Sequence, residues 1–303
     1  MNTWIAVDWG TSNLRAWKMG ADGRAVEEAG SDAGMGTLDR DGFEPALLAL
    51  IEPWLTEGEV TPAVACGMVG ARQGWVEAAY AKAPCPPVSA GGFVRAPVKD
   101  ARFSFYIVPG VQQSGPDDVM RGEETQVAGF LKKEPDFDGV LCLPGTHTKW
   151  VHISAGEIVS FNTFMTGEMF ALLSKNSVLR HSVTSDDWDE AEFDAAVETA
   201  LSKPEQAAAN LFRIRAGSLL SGLEPASARA RLSGLLVGME LAGSKPYWLG
   251  RDLVLIGNKN LSANYRRALS LCGLEAREAD ASEMTLSGLS QAHADLTKAG
   301  VPL

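Results

Sequence analysis

Cysteine and histidine are scarce in this chain, with four of each among 303 residues. The cysteines show neither the close pairs of a zinc site nor the density of a disulfide framework, which argues against both kinds of small cross-linked domain. A reducing, cytoplasmic location is therefore expected. Cys66 and Cys142 lie in apolar runs, where a small buried side chain is favoured over a nucleophile.

Positively charged residues are outnumbered by negatively charged ones. The chain has 27 Lys and Arg residues and 38 Asp and Glu residues, for a formal net charge of −11. Nucleic acid and anionic membrane surfaces are disfavoured as partners, because both need clustered cations. The longest apolar runs are interrupted by Glu52 or Glu240, and no basic region precedes an apolar stretch at the N-terminus. Neither a membrane span nor a signal peptide is predicted.

Two glycine-threonine turns stand out against this background. VDWGTSNLRAW covers Val7 to Trp17, and LPGTHTKWV covers Leu143 to Val151. Gly10 aligns with Gly145 at an offset of 135 residues, and similarity continues past the turn. The chain is therefore interpreted as two copies of one unit facing a shared ligand, with domains at 1–133 and 134–303.

Hydrophobic periodicity predicts an α/β chain in which three strands surround each turn and helices follow. The expected strands are Thr3 to Val7, Leu14 to Met19, Ala25 to Ala29, Ala63 to Cys66, Phe103 to Val108, Gly139 to Leu143, Lys149 to Ser154, Ile158 to Asn162 and Leu253 to Ile256. The expected helices are Phe43 to Leu55, Glu123 to Lys132, Phe164 to Leu173, Asp189 to Leu201, Ala208 to Leu220, Ser227 to Leu241, Leu261 to Leu271 and Ser282 to Lys298. The Pro-rich stretch from Lys82 to Pro97 is predicted to be a surface excursion or a lid.

Each turn has the composition of an anion-binding corner. Glycine lets backbone amides approach an anion, and hydroxyl and amide side chains add donors. The phosphate-binding candidates are Gly10, Thr11, Ser12, Asn13, Gly145, Thr146, His147 and Thr148. Asp8, beside the first turn, is a candidate Mg²⁺ partner, because this ion takes one or two carboxylates together with phosphate oxygens. The alternative for one isolated copy is an Asp and Thr that only close a turn.

These turns resemble those of the actin, hexokinase and Hsp70 class of nucleotide-dependent phosphotransferases. Four blocks, GMVGARQGW, GPDDVMRGEETQ, LPGTHTKWV and FMTGEMF, further resemble the 2-dehydro-3-deoxygalactonokinase family, in order over most of the chain. The resemblance implies two related ribonuclease H-like domains of the actin-like ATPase fold with a central nucleotide and substrate cleft. It also implies transfer of the ATP γ-phosphate to the 6-hydroxyl of 2-dehydro-3-deoxy-D-galactonate, in galactonate catabolism.

In such kinases a carboxylate at a helix start in the first domain accepts the sugar hydroxyl proton. The matching segment is Asp117 to Gln126. Glu124 is the first choice for this base, Glu123 the second and Asp118 the third. The alternative is that acidic residues in a first turn only stabilise the helix dipole.

A substrate with a carboxylate next to a keto group calls for fixed cations and donors. Arg72, Gln73 and Trp75 are substrate-binding candidates, with Trp75 as a pocket wall, although an Arg that only bridges a loop to the surface is an equal alternative for Arg72. Arg15 is expected to face the phosphates, the acid or solvent.

Two further segments are assigned to the second half. Gly257 and Asn258 follow a strand that resembles the adenosine-packing strand of this class, with a helix cap as the alternative. Thr166, Gly167 and Glu168 follow the third strand much as Ala33, Gly34 and Met35 do in the first half. They are expected to border the cleft or to form a packing turn.

The leading hypothesis is thus a kinase that uses ATP and Mg²⁺ on a small sugar acid. A phosphohydrolase of the exopolyphosphatase type and a non-enzymatic actin-like filament subunit are the alternatives. The GARQGW block favours the kinase over the hydrolase, because attack by water needs no acid-binding pocket. The sequence leaves the oligomeric state and the preference for the galacto or gluco epimer open, and a homo-oligomer is compatible with it.

Overall fold

The structure is a computed structural model, which describes residues 3–300. The chain forms two compact units. Of the described residues, the first unit comprises 3–137, 153–160 and 281–300, and the second comprises Asp138–His152 and Phe161–Asp280. Chain order alone would group the last helix with the second half, whereas its contacts group it with the first unit. The division of functional roles between 1–133 and 134–303 stays a prediction.

Three sheets carry the described strands. A six-stranded sheet has the order β3-β2-β1-β4-β7-β6, a five-stranded sheet the order β12-β11-β10-β13-β14, and a small sheet the order β5-β8-β9. The strands are β1 Trp4–Trp9, β2 Leu14–Met19, β3 Ala25–Ser31, β4 Thr61–Gly67, β5 Tyr80–Lys82, β6 Val94–Arg95, β7 Phe103–Ile107, β8 Gly110–Gln113, β9 Asp118–Met120, β10 Gly139–Leu143, β11 Thr148–Ser154, β12 Glu157–Phe164, β13 Leu253–Gly257 and β14 Arg277–Asp280.

Helices cover these sheets. They are α1 Phe43–Ile51, α2 Glu123–Lys133, α3 Thr166–Asn176, α4 Glu190–Ser202, α5 Ala207–Leu220, α6 Pro225–Gly243, α7 Lys245–Trp248, α8 Lys259–Leu271 and α9 Ala281–Lys298. Within residues 3–300 there is no helix whose length and apolar character would allow it to cross a bilayer.

The side chains of β1 point alternately to the two faces of its sheet, and each face packs into a hydrophobic core of the first unit. Ile5, Val7 and Trp9 pack into a core that includes residues of α1. Trp4 and Ala6 pack into a second core that includes residues of α9. A strand buried on both faces is mostly apolar, as β1 is apart from Asp8, and β1 pairs in parallel with β4. Asp8 lies two residues after Ala6 and therefore points to the same face of the sheet, which is the face toward α9.

Glycines allow the closest helix contacts in both units. A Cβ on Gly129 of α2 would lie 1.9 Å from the main-chain oxygen of Met284 in α9. In the second unit, a Cβ on Gly234 of α6 would lie 2.4 Å from the main-chain oxygen of Phe193 in α4. Such distances permit no side chain, so α2 is fixed against α9, and α6 against α4, at backbone contact.

Most predicted elements are confirmed, with informative differences at their ends. Helix α1 stops at Ile51, short of the predicted Leu55, because Pro53 has no amide hydrogen with which to continue the α-helical hydrogen bonds; the chain goes on as a short 3-10 turn over Glu52–Trp54. The predicted helix from Phe164 begins instead at Thr166, because β12 continues to Phe164. The Pro-rich stretch from 82 to 97 contains the short strand β6.

Candidate functional site

The first glycine-threonine turn is held by main-chain hydrogen bonds. The Gly10 amide donates to the Asn13 oxygen at 2.9 Å, and the Gly36 amide donates to the Thr11 oxygen at 2.9 Å. Gly34 touches the turn so closely that a Cβ there would lie 2.3 Å from the Thr11 oxygen. Thr11, Ser12 and Asn13 themselves are exposed. The turn is thus fixed from behind and presents its side-chain donors at the surface.

The second turn is fixed in the same manner. The Glu168 amide donates to the Thr146 oxygen at 2.9 Å, and a Cβ on Gly167 would lie 2.3 Å from the Gly145 oxygen. The exposed His147 ring nitrogen Nε2 lies 2.6 Å from Glu168 Oε2. The correspondence between the segments around Gly34 and Gly167 therefore extends to how each packs on its turn.

Thr148 differs from the other residues of its turn. Its side chain is buried, and its hydroxyl lies 2.9 Å from the hydroxyl of Tyr265. The predicted role of this hydroxyl as a phosphate donor does not suit that position, since the oxygen faces the interior of the second unit. The side-chain donors that this turn presents outward are those of Thr146 and His147.

Asp8 is paired with an arginine of the neighbouring strand. It stands directly opposite Arg15 in the β1–β2 register, and Arg15 Nη2 donates to Asp8 Oδ2 at 2.6 Å. Arg15 Nη1 donates to the Ser282 hydroxyl of α9 at 3.2 Å. Cross-strand partners lie on the same face of a sheet, so the pairing follows from the register. The structure shows Arg15 turned toward Asp8, a direction that the sequence analysis did not name, and contact of Arg15 with phosphate or substrate stays a prediction.

Gly67 brings Asp8 and the start of α2 together. Its φ of 92° ends β4 in a conformation that favours glycine. A Cβ on Gly67 would lie 3.5 Å from Asp8 Oδ1, and one on Gly122, the residue before α2, would lie 3.3 Å from Gly67 Cα. The buried Cys66 places Sγ 3.9 Å from Asp8 Oδ1, and its pKa is raised well above the usual value, chiefly by burial. This cysteine is therefore a protonated core thiol, as the sequence predicted.

Glu124 is fully buried at the start of α2. Its Oε2 accepts from the Gly122 amide at 2.7 Å, and its Oε1 accepts from the Thr125 hydroxyl at 3.0 Å. Burial, with a smaller contribution from the charge of Glu123, raises its pKa to about 7. A carboxyl group with this pKa changes protonation near neutral pH, which suits a general base.

The two other candidate bases have different surroundings. Glu123 is half-buried, and its Oε2 accepts from the Arg121 amide at 3.0 Å. Asp118 lies in β9, and its Oδ1 accepts from the Val119 amide at 2.8 Å. Both contacts are local bonds to main-chain amides. Glu123, in the first turn of α2, fits the helix-dipole alternative, whereas Asp118 lies outside that turn.

Arg121, which the sequence analysis did not select, is a buried cation within the segment from Asp117 to Gln126. Its Nη2 donates to the Ala78 oxygen at 2.7 Å, and its guanidinium lies 4.2 Å from the centre of the Tyr80 ring. Its Nε and Nη1 have no hydrogen-bond partner among the described residues. Its position in the sequence directly before Gly122 and Glu123 was a usable signal, whereas its burial, rare for an Arg, is visible only in the structure.

The GARQGW block is divided between surface and core. Arg72 and Gln73 are exposed. Trp75 is only 7% exposed and stacks on Phe43 at a ring distance of 6.2 Å, so most of the ring belongs to the core of the first unit. Trp75 also lines a surface groove of about 410 Å³, together with the cations Arg40 and Lys99 and the acids Asp41, Glu44 and Glu77. The roles of Trp75 as a pocket wall and of this block in substrate contact stay predictions.

A cavity of about 180 Å³ lies inside the second unit, next to the second turn. Gly145, Thr166 and Gly167 form the side nearest the turn. The remaining lining is mostly apolar with a few polar groups, namely Phe170, Trp188, Arg229, Ser233, Leu236, Val237, Leu261, Asn264 and Tyr265. Apolar walls with a few placed polar groups are typical of small-molecule sites.

Gly257 and Asn258 do not line this cavity. The Asn258 side chain accepts from the Leu261 amide at 2.9 Å and caps α8. A Cβ on Gly257 would lie 2.6 Å from the Ser262 hydroxyl, so this glycine is needed for packing. The structure therefore shows the helix cap offered as the alternative, and the adenosine assignment of these two residues stays a prediction.

A buried carboxylate lies behind the cavity wall. Glu240 of α6 is 1% exposed and accepts from Trp150 Nε1 at 2.8 Å, from the Tyr265 hydroxyl at 2.8 Å and from the Thr166 hydroxyl. Burial raises its pKa to about 7. The sequence analysis noted Glu240 only as an interruption of an apolar run, although a single acid within such a run was itself the signal.

Among residues 3–300, no group of three or more His, Cys, Asp or Glu residues is arranged to hold a metal ion. Asp8 offers one carboxylate, with 22% of its side chain exposed. A single carboxylate fits Mg²⁺ held chiefly by phosphate oxygens and water, and does not form a closed protein cage.

Comparison with known proteins places these features in a family. The family model described as 2-keto-3-deoxy-galactonokinase matches residues 8–292. A relative from Escherichia coli (strain K12), named 2-dehydro-3-deoxygalactonokinase, is 34% identical over 275 residues, covering 90% of this chain and 91% of the relative. Another from Rhizobium meliloti (strain 1021), named "Probable 2-dehydro-3-deoxygalactonokinase DgoK1", is 39% identical over 295 residues, covering 95% and 96%.

Solved structures agree in fold. A crystal structure from Sinorhizobium meliloti, described as a candidate 2-dehydro-3-deoxygalactonokinase, has a TM-score of 0.89 at 38% identity and covers 99% of this chain and 100% of its own. An activator of 2-hydroxyisocaproyl-CoA dehydratase from Clostridium difficile has a TM-score of 0.50 at 11% identity, covers 99% and 98%, and shares the fold alone. The α/β architecture is that of the actin-like ATPases, as the sequence predicted. The chain belongs to the 2-keto-3-deoxy-galactonokinase family.

Proposed function

We propose that this protein is a kinase that transfers the γ-phosphoryl group of ATP to the 6-hydroxyl of 2-dehydro-3-deoxy-D-galactonate, giving the 6-phosphate and ADP. Family membership supports the reaction class. The observation that carries the chemistry is Glu124, a buried carboxylate at the start of α2 whose pKa is raised to about 7. The phosphohydrolase and filament alternatives are not favoured by the family.

The proposed base acts on the acceptor hydroxyl. Glu124 takes the proton from O6 as the bond from O6 to the γ-phosphorus forms and the bond to the β,γ-bridging oxygen breaks. ADP leaves with the electron pair of that bond. Glu123 and Asp118 are the second and third choices for this role.

The first turn offers donors to phosphate oxygens through the exposed side chains of Thr11, Ser12 and Asn13. The second turn offers those of Thr146 and His147. Main-chain hydrogen bonds and close glycine contacts hold both turns in place, so the turns lose little conformational freedom when an anion binds. Mg²⁺ bound with the nucleotide would neutralise part of the phosphate charge, and Asp8 is the carboxylate that the chain offers to it.

The cavity of the second unit is proposed to take the adenosine of ATP. Its aromatic and aliphatic walls suit a flat base, and it borders Gly145 of the second turn, where the phosphates would follow. Gly257 and Asn258 do not line this cavity, and their contact with adenosine stays a separate prediction.

The acid end of the substrate is proposed to bind Arg72 and Gln73, whose exposed side chains are available to a carboxylate. The four cysteines are all unpaired, which supports a reducing, cytoplasmic location. A homo-oligomer is compatible with the proposal.

A coupled ADP-release assay with the purified chain tests the function. The acceptors would be 2-dehydro-3-deoxy-D-galactonate, its gluconate epimer and neutral hexoses, and phosphate release without an acceptor would measure hydrolysis. Rapid ADP release with the galactonate acid alone is expected. Inactivity with every sugar acid, or equal phosphate release without acceptor, would refute the proposal. Polymer formation on adding ATP, measured by sedimentation, would favour the filament alternative.

A further inference from the structure

Glu240 gathers donors from three separate elements of the second unit. Trp150 belongs to β11, Thr166 is the first residue of α3, and Tyr265 belongs to α8. Trp150 donates to one carboxylate oxygen, and the two hydroxyl groups donate to the other. An ionised carboxylate only accepts, so all three donors are satisfied by the same group.

This arrangement fixes the direction of a further bond. The Tyr265 proton points to Glu240, so in the contact between Tyr265 and Thr148 the Thr148 hydroxyl must be the donor. Thr148 is the last residue of the second glycine-threonine turn. A chain of hydrogen bonds therefore runs from this turn through Tyr265 to the buried carboxylate.

The same network supports the cavity wall. Thr166 and Tyr265 both line the cavity, and Gly167, next to Thr166, packs on Gly145 of the turn. Glu240 itself does not line the cavity. We propose that Glu240 is a positioning residue for nucleotide binding, which holds the second turn and the cavity wall in one arrangement through Thr148, Thr166 and Tyr265. This inference rests on the proposed binding of ATP to the second unit.

The position also makes the network sensitive to protonation. The titratable groups that face Glu240 are Tyr265 of α8 and Cys142 of β10, and burial raises the pKa of both well above their usual values. The contacts from β11 and α3 come from indole and hydroxyl groups. Arg229 of α6 is the charged residue of the cavity wall. A proton on Glu240 would turn an acceptor into a donor and oppose one of the three N–H or O–H groups aimed at it.

The test is ATP binding measured by titration calorimetry on the full chain, together with kcat and KM for ATP. Glu240→Gln keeps the shape but places an amide donor against existing donors. We expect its Kd for ATP to rise about tenfold or more, with kcat at saturating ATP within about twofold of wild type. Tyr265→Phe deletes only the hydroxyl that links Thr148 to Glu240. It is expected to raise the Kd for ATP by a smaller factor than Glu240→Gln does. Glu198→Gln makes the same chemical change at an exposed position of the second unit and is expected to leave Kd unchanged.

As pH falls from about 8 to about 6, the Kd of the wild type for ATP should rise more steeply than that of Glu240→Gln, because the titration of ATP itself is common to both proteins. A folded Glu240→Gln variant with wild-type affinity would overturn the inference. If that variant shows no cooperative thermal transition, wild-type affinity in Tyr265→Phe would overturn it instead. Absence of ATP binding by the wild-type chain would count against the proposed function and is distinguishable from both results.

Discussion

Arg15 and Asp8 form an ion pair of 2.6 Å across the neighbouring strands β1 and β2. Their cross-strand register makes the pairing direct, and the Arg15 contact with Ser282 ties it to α9. The Asp8 carboxylate is thus held in place at the end of its strand, between the first turn and the start of α2. A cation that arrives with phosphate meets a preoriented carboxylate whose charge is shared with an arginine.

Asp8→Asn is expected to raise the Mg²⁺ concentration required for half-maximal activity, because the amide keeps the shape and loses the charge. The measurement is the initial rate as a function of Mg²⁺ at fixed ATP. Glu59→Gln, an exposed charge loss in the first unit, is the control. An unchanged Mg²⁺ dependence in Asp8→Asn would remove this residue from the metal site.

Glu124→Gln is expected to reduce kcat about a hundredfold or more while leaving the Kd for ATP close to that of wild type, because it removes the proton acceptor and no proposed nucleotide contact. Steady-state kinetics with ATP titration separates the two effects. Glu123→Gln and Asp118→Asn are the comparison variants. Near-normal turnover in Glu124→Gln would assign the base to one of those two residues.

The wild-type kcat/KM for the sugar acid is expected to increase as pH rises through about 7. Glu124 must be ionised to accept a proton, and burial raises its pKa to about 7. A pH-rate profile measures this directly. A profile that is flat between pH 6 and 8 would exclude a base with such a pKa.

Glu124 is also expected to make stability depend on pH. Its folded-state pKa of about 7 exceeds the ordinary value of 4.5, so the folded state binds the proton more tightly. That stabilisation is fully present below about pH 4.5 and is lost as pH rises to about 7. Glu124→Gln lacks this titration. Between pH 5 and pH 8, the difference in free energy of unfolding between the variant and the wild type should therefore shift in favour of the variant by up to about 3 kcal/mol.

Urea unfolding at several pH values measures that difference, with Glu59→Gln as the exposed control. A difference between Glu124→Gln and wild type that does not change with pH would show that Glu124 has an ordinary pKa in the folded protein.

Gly34→Ala and Gly167→Ala are expected to disturb the turn on which each glycine packs, since the added Cβ would lie 2.3 Å from a main-chain oxygen of that turn. We expect a loss of stability of about 1–3 kcal/mol and a raised KM for ATP in both variants. Gly91→Ala is the control, because a Cβ there meets nothing within 4 Å. Wild-type kinetics in both test variants would show that the turns are not rigidly held.

The sequence by itself determined the local elements and the family. The two glycine-threonine turns, the strands beside them and helix α2 after Gly122 follow from short-range preferences, namely alternation, helical spacing and turn chemistry. The ordered blocks such as LPGTHTKWV indicate the family from the sequence alone. These patterns can be recognised in the sequence because each depends only on residues that are neighbours in the chain.

Tertiary structure decided which way the functional side chains face. Register set Arg15 against Asp8, and burial placed Thr148 and much of Trp75 in the interior. Glu240 and Tyr265, 25 residues apart in sequence, form one network with Thr148 only because α6, α8 and β11 pack together. Such contacts join residues that are distant in the chain, and a raised pKa depends on the surroundings of a group, so no local pattern encodes either one.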